Sequence, residues 1–211
     1  MLVYQWVVST LAAPLIIWTI SYISDYALTV ASAALMRRSS IIGFEKGLEL
    51  NPYFRKDIGF LRKVSPRFIA ALIVTNILLG MLWVLASHEG LFPALFDVVF
   101  GVFILMESAI HIRHYRNLVV FHYAAKGAGM KGHVFYETWF SLRLSAAELL
   151  SFAGLYLFLA ALLQSWFLFG GFVGCLYLAA NHWGMSNREM RSGTAGVTSH
   201  SEPGGAEDAR R

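Results

Sequence analysis

Three residues of the third hydrophobic segment have the types and the spacing of a metal site. Glu107, His111 and His114 stand at positions i, i+4 and i+7, so a helix places all three side chains on one face. Two imidazoles and a carboxylate are a common ligand set for Zn²⁺ or Fe²⁺. The pattern differs from the His-Glu-x-x-His motif of zinc proteases. Interfacial histidines that contact lipid phosphates are the alternative interpretation.

The fourth hydrophobic segment carries a second polar set. Glu137, Ser141, Ser145, Glu148 and Ser151 fall within a wedge of roughly 120° on a helix. Glu137 and Glu148 are candidate catalytic carboxylates, and Ser141 and Ser145 are candidate binding residues. The alternative is that this stripe packs against a neighbouring helix, because serine allows close approach and hydrogen bonding between helices.

Two further candidate binding residues, Asp25 and Thr29, lie on one face of the first hydrophobic segment. An ionisable residue at membrane depth is costly and often marks an ion or proton pathway. A carboxyl group that simply hydrogen-bonds to a neighbouring helix is the alternative. Arg143 points away from the fourth-segment stripe and is another candidate binding residue. We expect it to pair with a carboxylate such as Glu107 or Asp25, or to extend to the membrane surface.

The composition places these residues in a membrane protein. Hydrophobic residues make up 57% of the 211 residues and charged residues only 14%, against a usual charged share of about 25%. The sequence predicts an all-α integral membrane protein, with a helical bundle over 1–184 and a disordered cytoplasmic tail over 185–211. The five predicted spans are about 13–36, 68–87, 93–112, 135–162 and 166–184.

The distribution of basic residues predicts the orientation. Of the 17 Lys and Arg residues, eight lie in 37–67, four in 113–133 and four in the tail. The positive-inside rule then puts the N-terminus outside, the C-terminus in the cytoplasm, and the chain in a cell inner membrane. The 37–67 loop mixes basic and apolar residues, which indicates amphipathic helices on an anionic leaflet. The positive-inside rule also accounts for the net charge of +4, so nucleic acid is not an expected partner.

The fifth segment contains a closely spaced glycine set. Gly170, Gly171 and Gly174 include a Gly-x-x-x-Gly step, which predicts close helix packing, either within the bundle or in a homodimer or with another membrane protein. The single cysteine, Cys175, lies in the same segment and is expected to be a small buried residue.

Two short motifs resemble a known pattern. Asp25-Tyr-Ala-Leu-Thr29, and Gly47-Leu-Glu49-Leu-Asn51-Pro52 after the first span, are similar to motifs in small uncharacterised bacterial multi-pass membrane proteins. The resemblance covers roughly a quarter of the chain. Those proteins have no settled activity. The resemblance implies that Asp25, Glu49 and Asn51 lie close together, which makes Asn51 a candidate binding residue.

Three functions fit these features. The first is an enzyme acting on a lipid or isoprenoid at the cytoplasmic leaflet. Its Glu107, His111 and His114 bind a divalent metal such as Zn or Fe, Glu137 or Glu148 is the general base, and the basic loop binds a phosphate headgroup. A haem protein with His114 and His182 as axial ligands is a variant.

The second function is a transporter or binder of a cation or small solute that uses Asp25 and the fourth-span carboxylates. The third is a non-catalytic scaffold or subunit of a membrane complex. The depth of the polar residues separates the first two hypotheses. An enzyme gathers its polar residues at one depth, whereas a transporter distributes them along a path.

Overall fold

The protein is a bundle of long helices with a small two-stranded sheet at one end. The computed structural model describes residues 9–88, 93–129 and 131–198. In chain order the elements are α1 (Ala12–Arg38), β1 (Ile42–Phe44), α2 (Pro52–Gly59), α3 (Pro66–His88), α4 (Pro93–Ala125), β2 (Val134–Tyr136), α5 (Thr138–Leu163) and α6 (Trp166–Thr198).

Four of these helices are long and apolar enough to cross a membrane: α1, α3 as far as Ser87, α4 from Ala94, and α5. The prediction of a largely helical chain with several helices able to span a membrane is confirmed at this level. The fifth predicted span, 166–184, coincides with the first part of α6. It is not among the four helices found long and apolar enough to cross a membrane.

Two predicted boundaries differ from the structure. The fourth span was expected to start near residue 135, but Val134–Tyr136 forms β2, which pairs in parallel with β1, and α5 begins at Thr138. The segment from 185 was predicted to be disordered, yet α6 continues to Thr198. The first residues of this extension contact the rest of the protein, including an ion pair of 2.6 Å between Glu189 and Lys46. Residues 199–211 lie outside the described part.

The predicted amphipathic loop 37–67 folds as one strand, β1, and one helix, α2. Asn51 begins α2 by accepting the backbone N–H of Tyr53 at 3.0 Å, and Pro52 occupies the first helical position. Proline is tolerated there because that N–H has no partner within the helix. Asn51-Pro52 is therefore the start of a helix.

Helix α4 lies at the centre of the bundle and belongs to two apolar clusters. On one side Phe96 and Phe100 pack with Trp18 of α1 and Leu79 of α3. On the other side Ala109 packs with residues of α5 and α6, including Cys175, which is fully buried as expected. Since α4 carries Glu107 and both candidate histidines, its packing positions the candidate site.

The backbones of α4 and α6 touch at glycine. A Cβ atom at Gly170 would lie 2.8 Å from the carbonyl carbon of Val98, and one at Gly101 would lie 2.9 Å from the carbonyl carbon of Phe167. Only glycine allows this approach without displacing the facing backbone. The close packing predicted from the glycine spacing is confirmed, and it occurs within the bundle.

Candidate metal centre

Aromatic packing sets the register between α1 and α4. The ring of Trp18 lies 4.7 Å from that of Phe103, and its indole N–H donates to Thr75 Oγ1 of α3 at 2.8 Å. Two turns further along α1 stands Asp25, and one turn further along α4 stands Glu107. The polar faces of the two helices therefore meet on the side of the bundle nearer to Arg37 and Arg38, which end α1.

Asp25, Glu107 and His111 form a compact group at this meeting point. Each offers a ligand atom, and these atoms all lie within 4.8 Å of one another. Glu107 is only 4% exposed. Its Oε1 atom, like Oδ1 of Asp25, is buried and makes no hydrogen bond within the described part of the chain. A buried carboxylate oxygen without a partner is costly, and a bound cation or a proton would satisfy it.

His111 is oriented like a metal ligand. Its Nδ1 lies 2.8 Å from the carbonyl oxygen of Glu107. Because a carbonyl only accepts, Nδ1 carries the proton, and Nε2 of the neutral ring presents a lone pair. Nε2 lies 2.6 Å from Ser24 Oγ, which is also 2.9 Å from Ser21 O. The single Ser24 proton serves one of these acceptors at a time, so a metal ion at Nε2 would require the Ser24 hydroxyl to donate to Ser21 and to move away from Nε2.

His114 lies on the other side of Asp25. Its Nε2 atom is 3.2 Å from Asp25 Oδ1, without the alignment of a hydrogen bond, and 3.3 Å from Thr29 Oγ1. Thr29 also donates to the Asp25 carbonyl oxygen at 3.0 Å. The sequence pattern grouped His114 with Glu107 and His111. In the structure, Asp25 takes the place of His114 in the compact ligand group, and His114 contacts Asp25.

A small cleft of about 40 Å³ opens beside Asp25. Its walls come from α1, the loop before α2, α2 itself and the start of α3, and include Tyr22, Glu49, Phe54 and Phe68. Asp25 and Glu49 line the same cleft, which is the proximity that the motif resemblance implied. Asn51 instead caps α2, and its backbone N–H donates to Glu49 at 2.7 Å.

Glu49 differs electrostatically from an ordinary surface carboxylate. Burial raises the pKa of the Glu49 carboxyl above its usual range, and the negative charge of Asp25 adds to this effect, although the Asn51 hydrogen bond opposes it. The spacing arguments did not single out Glu49 as a site residue. The signal that could have found it is the Glu-x-Asn-Pro motif, because the Asn-Pro start of a helix holds the preceding carboxylate in place.

Arg113 balances part of the negative charge. It interacts electrostatically with Glu49, Asp25 and Glu107, and it donates to Ser145 Oγ of α5. Ser145 is buried and also hydrogen-bonds His182 Nδ1 of α6 at 2.8 Å.

The two carboxylates of the fourth segment lie apart from this group. Glu137 precedes α5 in an exposed position and accepts a hydrogen bond from the Trp139 indole. Glu148 forms an ion pair with Arg116. Ser141 donates to the Glu137 carbonyl oxygen at 3.1 Å. The residues of the predicted stripe therefore have different partners. Glu137 and Ser141 make local hydrogen bonds, whereas Ser145 and Glu148 contact α4.

Arg143 contacts α6, which differs from the expected pairing with Glu107 or Asp25. Its guanidinium donates to Asn187 Oδ1 at 2.7 Å and lies 4.3 Å from the Trp183 ring centroid. Cation–π contact and hydrogen bonding together satisfy a partly buried guanidinium. The two histidines of the haem variant also have separate partners, since His114 faces Asp25 and His182 bonds to Ser145.

Comparison with known proteins adds no further assignment: no protein family model, curated protein or solved structure matches this chain.

Proposed function

We propose that this chain is a multi-pass inner-membrane protein that binds one divalent metal ion, Zn²⁺ or Fe²⁺, between α1 and α4 at the cytoplasmic leaflet. In this proposal five helices span the membrane, with the N-terminus outside and the C-terminus in the cytoplasm. The observation that carries it is the group of Asp25, Glu107 and His111, whose ligand atoms lie within 4.8 Å of one another in a largely buried setting.

The depth of the group supports a site at the cytoplasmic leaflet. A hydrocarbon core of roughly 30 Å corresponds to about 20 helical residues. Counted from Pro93, the start of α4, that length ends near His111. Glu107 then lies about one turn inside the cytoplasmic boundary, and Asp25, although near the middle of the predicted first span 13–36, packs against it in the same ligand group.

In the proposed orientation, the packing of the bundle toward the outer side of the membrane favours a binding site over a transport path. Between α1, α3 and α4 this region is filled by Trp18, Leu79, Phe96 and Phe100, all almost completely buried. The polar residues nearby are satisfied locally, as in the hydrogen bond between Trp18 and Thr75. A transporter needs polar groups that continue through this region. The transport and scaffold hypotheses are the alternatives to this proposal.

Within the proposed function, Asp25, Glu107 and His111 would hold the ion, with His114 beside Asp25. A metal held there would supply Lewis-acid chemistry. Glu49 faces the same cleft and is the carboxylate placed to exchange a proton with a group bound there. Glu137 and Glu148 are engaged elsewhere. The apolar surroundings suit a lipid or isoprenoid substrate that enters from the membrane.

Metal content tests the proposal directly. The detergent-purified protein is incubated with Zn²⁺ or Fe²⁺, separated from free metal, and analysed by inductively coupled plasma mass spectrometry. We expect close to one ion per chain in the parent and in the control variant Glu137→Gln, and loss of the ion in Glu107→Gln and His111→Gln. Near-parental melting temperatures establish that the variants fold. The absence of bound metal from the folded parent would overturn the proposal.

His114→Gln separates the ligand set predicted from sequence from the set seen in the structure. If His114 only orients Asp25, this variant keeps one ion per chain and its affinity falls roughly 10–100-fold, as is usual for residues behind the ligands. If His114 is itself a ligand, the ion is lost as in Glu107→Gln. Titration with a fluorescent zinc competitor measures the difference.

A further inference from the structure

Helix α2 forms one wall of the cleft that contains Asp25. Its inner face contributes Phe54 and Ile58 to the cleft, and Ile58 is only 3% exposed. On the same side Asp57 is buried, with hydrogen bonds from Arg62 at 3.0 Å and from Ser65 at 2.6 Å. Movement of α2 away from the bundle would therefore open the cleft.

The outer face of α2 and of the turn after it combines exposed aromatic, apolar and cationic side chains. Tyr53, Phe60 and Val64 are 51%, 64% and 64% exposed. Lys56 and Lys63 are also exposed, and neither side chain has a hydrogen-bond or ion-pair partner among the described residues. The acidic residue of this segment, Asp57, is buried and already paired. The outer face therefore carries uncompensated positive charge beside apolar side chains.

This combination matches the surface of an anionic bilayer. Aromatic side chains favour the headgroup region, where the ring is shielded from water and polar atoms stay hydrated. Lysines near anionic lipids gain electrostatic attraction. The connections on this side are basic throughout, since 37–67 contains eight Lys and Arg residues against Glu45, Glu49 and Asp57. In the proposed orientation the surface lies on the cytoplasmic side of the membrane, whose leaflet carries the anionic lipids.

We propose that the outer face of α2 and the turn after it bind anionic phospholipid headgroups, and that this contact holds the wall of the Asp25 cleft in place. The inference rests on the membrane orientation of the proposed function and is independent of whether a metal binds. Anionic lipid favours the docked position of α2, so the cleft opens less often in an anionic membrane than in a neutral one.

Cysteine labelling measures this opening. Thr29 lines the cleft and is 3% exposed, so Thr29→Cys in a Cys175→Ala background reports access to it. The protein is placed in nanodiscs of phosphatidylcholine, with or without phosphatidylglycerol, in the presence of EDTA. An uncharged methanethiosulfonate reagent avoids effects of surface potential on its local concentration. We expect labelling roughly tenfold slower with phosphatidylglycerol.

A matched pair of variants locates the effect. Lys56→Glu/Lys63→Glu should remove the lipid dependence, whereas Lys126→Glu/Lys131→Glu, which makes the same charge change on exposed residues between α4 and β2, should preserve it. Equal labelling rates in both membranes, or the same dependence in both variants, would overturn the inference. Metal content is measured separately, so its loss would count against the proposed function alone.

Hydrogen exchange of the unmodified chain provides a second readout if Thr29→Cys does not fold. The amides of Phe60 and Leu61 donate to carbonyl oxygens of Lys56 and Ile58 at the end of α2. Their exchange should slow several-fold when phosphatidylglycerol is added. Unchanged exchange in α2 would contradict the inference.

Discussion

Replacement of Gly170 by alanine tests the packing that positions the site. A Cβ atom there would collide with the carbonyl oxygen of Val98, and it would lie 2.8 Å from the carbonyl carbon of that residue and 3.0 Å from the backbone nitrogen of Val102. Ordinary contacts between carbon atoms are about 3.5–4.0 Å. Because all three obstacles are backbone atoms, no side-chain rotation relieves the clash, and α4 and α6 must separate by roughly 1 Å or more.

The cost of this separation can be stated as an order of magnitude. A gap of 0.5–1 Å removes about a quarter to a half of the dispersion energy of each contact that it opens. Overpacking of a well-filled core typically costs about 1–3 kcal/mol. Alanine also improves helix propensity by up to about 1 kcal/mol relative to glycine, which partly offsets the loss. We therefore expect Gly170→Ala to lower the free energy of unfolding by about 1–2 kcal/mol.

Gly184 provides the matched control on the same helix. A Cβ atom at Gly184 would meet nothing within 4 Å, so Gly184→Ala should be neutral or stabilising by up to about 1 kcal/mol. The free energy of unfolding is measured by SDS titration in mixed micelles, followed by circular dichroism. Equal or greater stability of Gly170→Ala relative to Gly184→Ala would show that α4 and α6 do not pack as described.

Two further predictions concern candidate binding residues that the structure places in packing roles. Asn51→Ala should remove the cap of α2 at a cost of about 1 kcal/mol, visible as faster hydrogen exchange in α2, while metal content is unchanged; loss of the metal would instead assign Asn51 to the site. Arg143→Lys should weaken the contact with Trp183 by about 0.5–1 kcal/mol, measured as a lower melting temperature, again with metal retained; a metal-free variant would contradict this role.

The sequence predicted the parts of the site that one helix determines. Glu107 and His111 are four residues apart, so a helix brings them together whatever surrounds it. The sequence also predicted that α1, α3, α4 and α5 are apolar, because this property depends only on local composition. The closeness of Asp25 and Glu49 was also anticipated, although from a motif and not from a physical argument.

The relation between helices could not be predicted in the same way. Asp25 meets Glu107 because Trp18 packs on Phe103 and so sets the register between α1 and α4. Such a register depends on side-chain shapes that helical periodicity does not encode. For the same reason the sequence predicted the stripe on α5 as one surface. In the structure Arg113 and Arg116 of α4 bind Ser145 and Glu148, so only part of the stripe contacts α4.

The pairing of β1 with β2 has a consequence for biosynthesis. The two strands flank α2, α3 and α4 in the chain, and the hydrogen bond from the Thr138 amide to Glu45 joins residues 93 positions apart. Contacts so distant in sequence form late, because the ribosome must first deliver the intervening segments. The chain that follows α1 therefore emerges well before its strand partner. β1, and the chain that leads from it to α2, can therefore be held in place only after the residues that precede α5 have been synthesised.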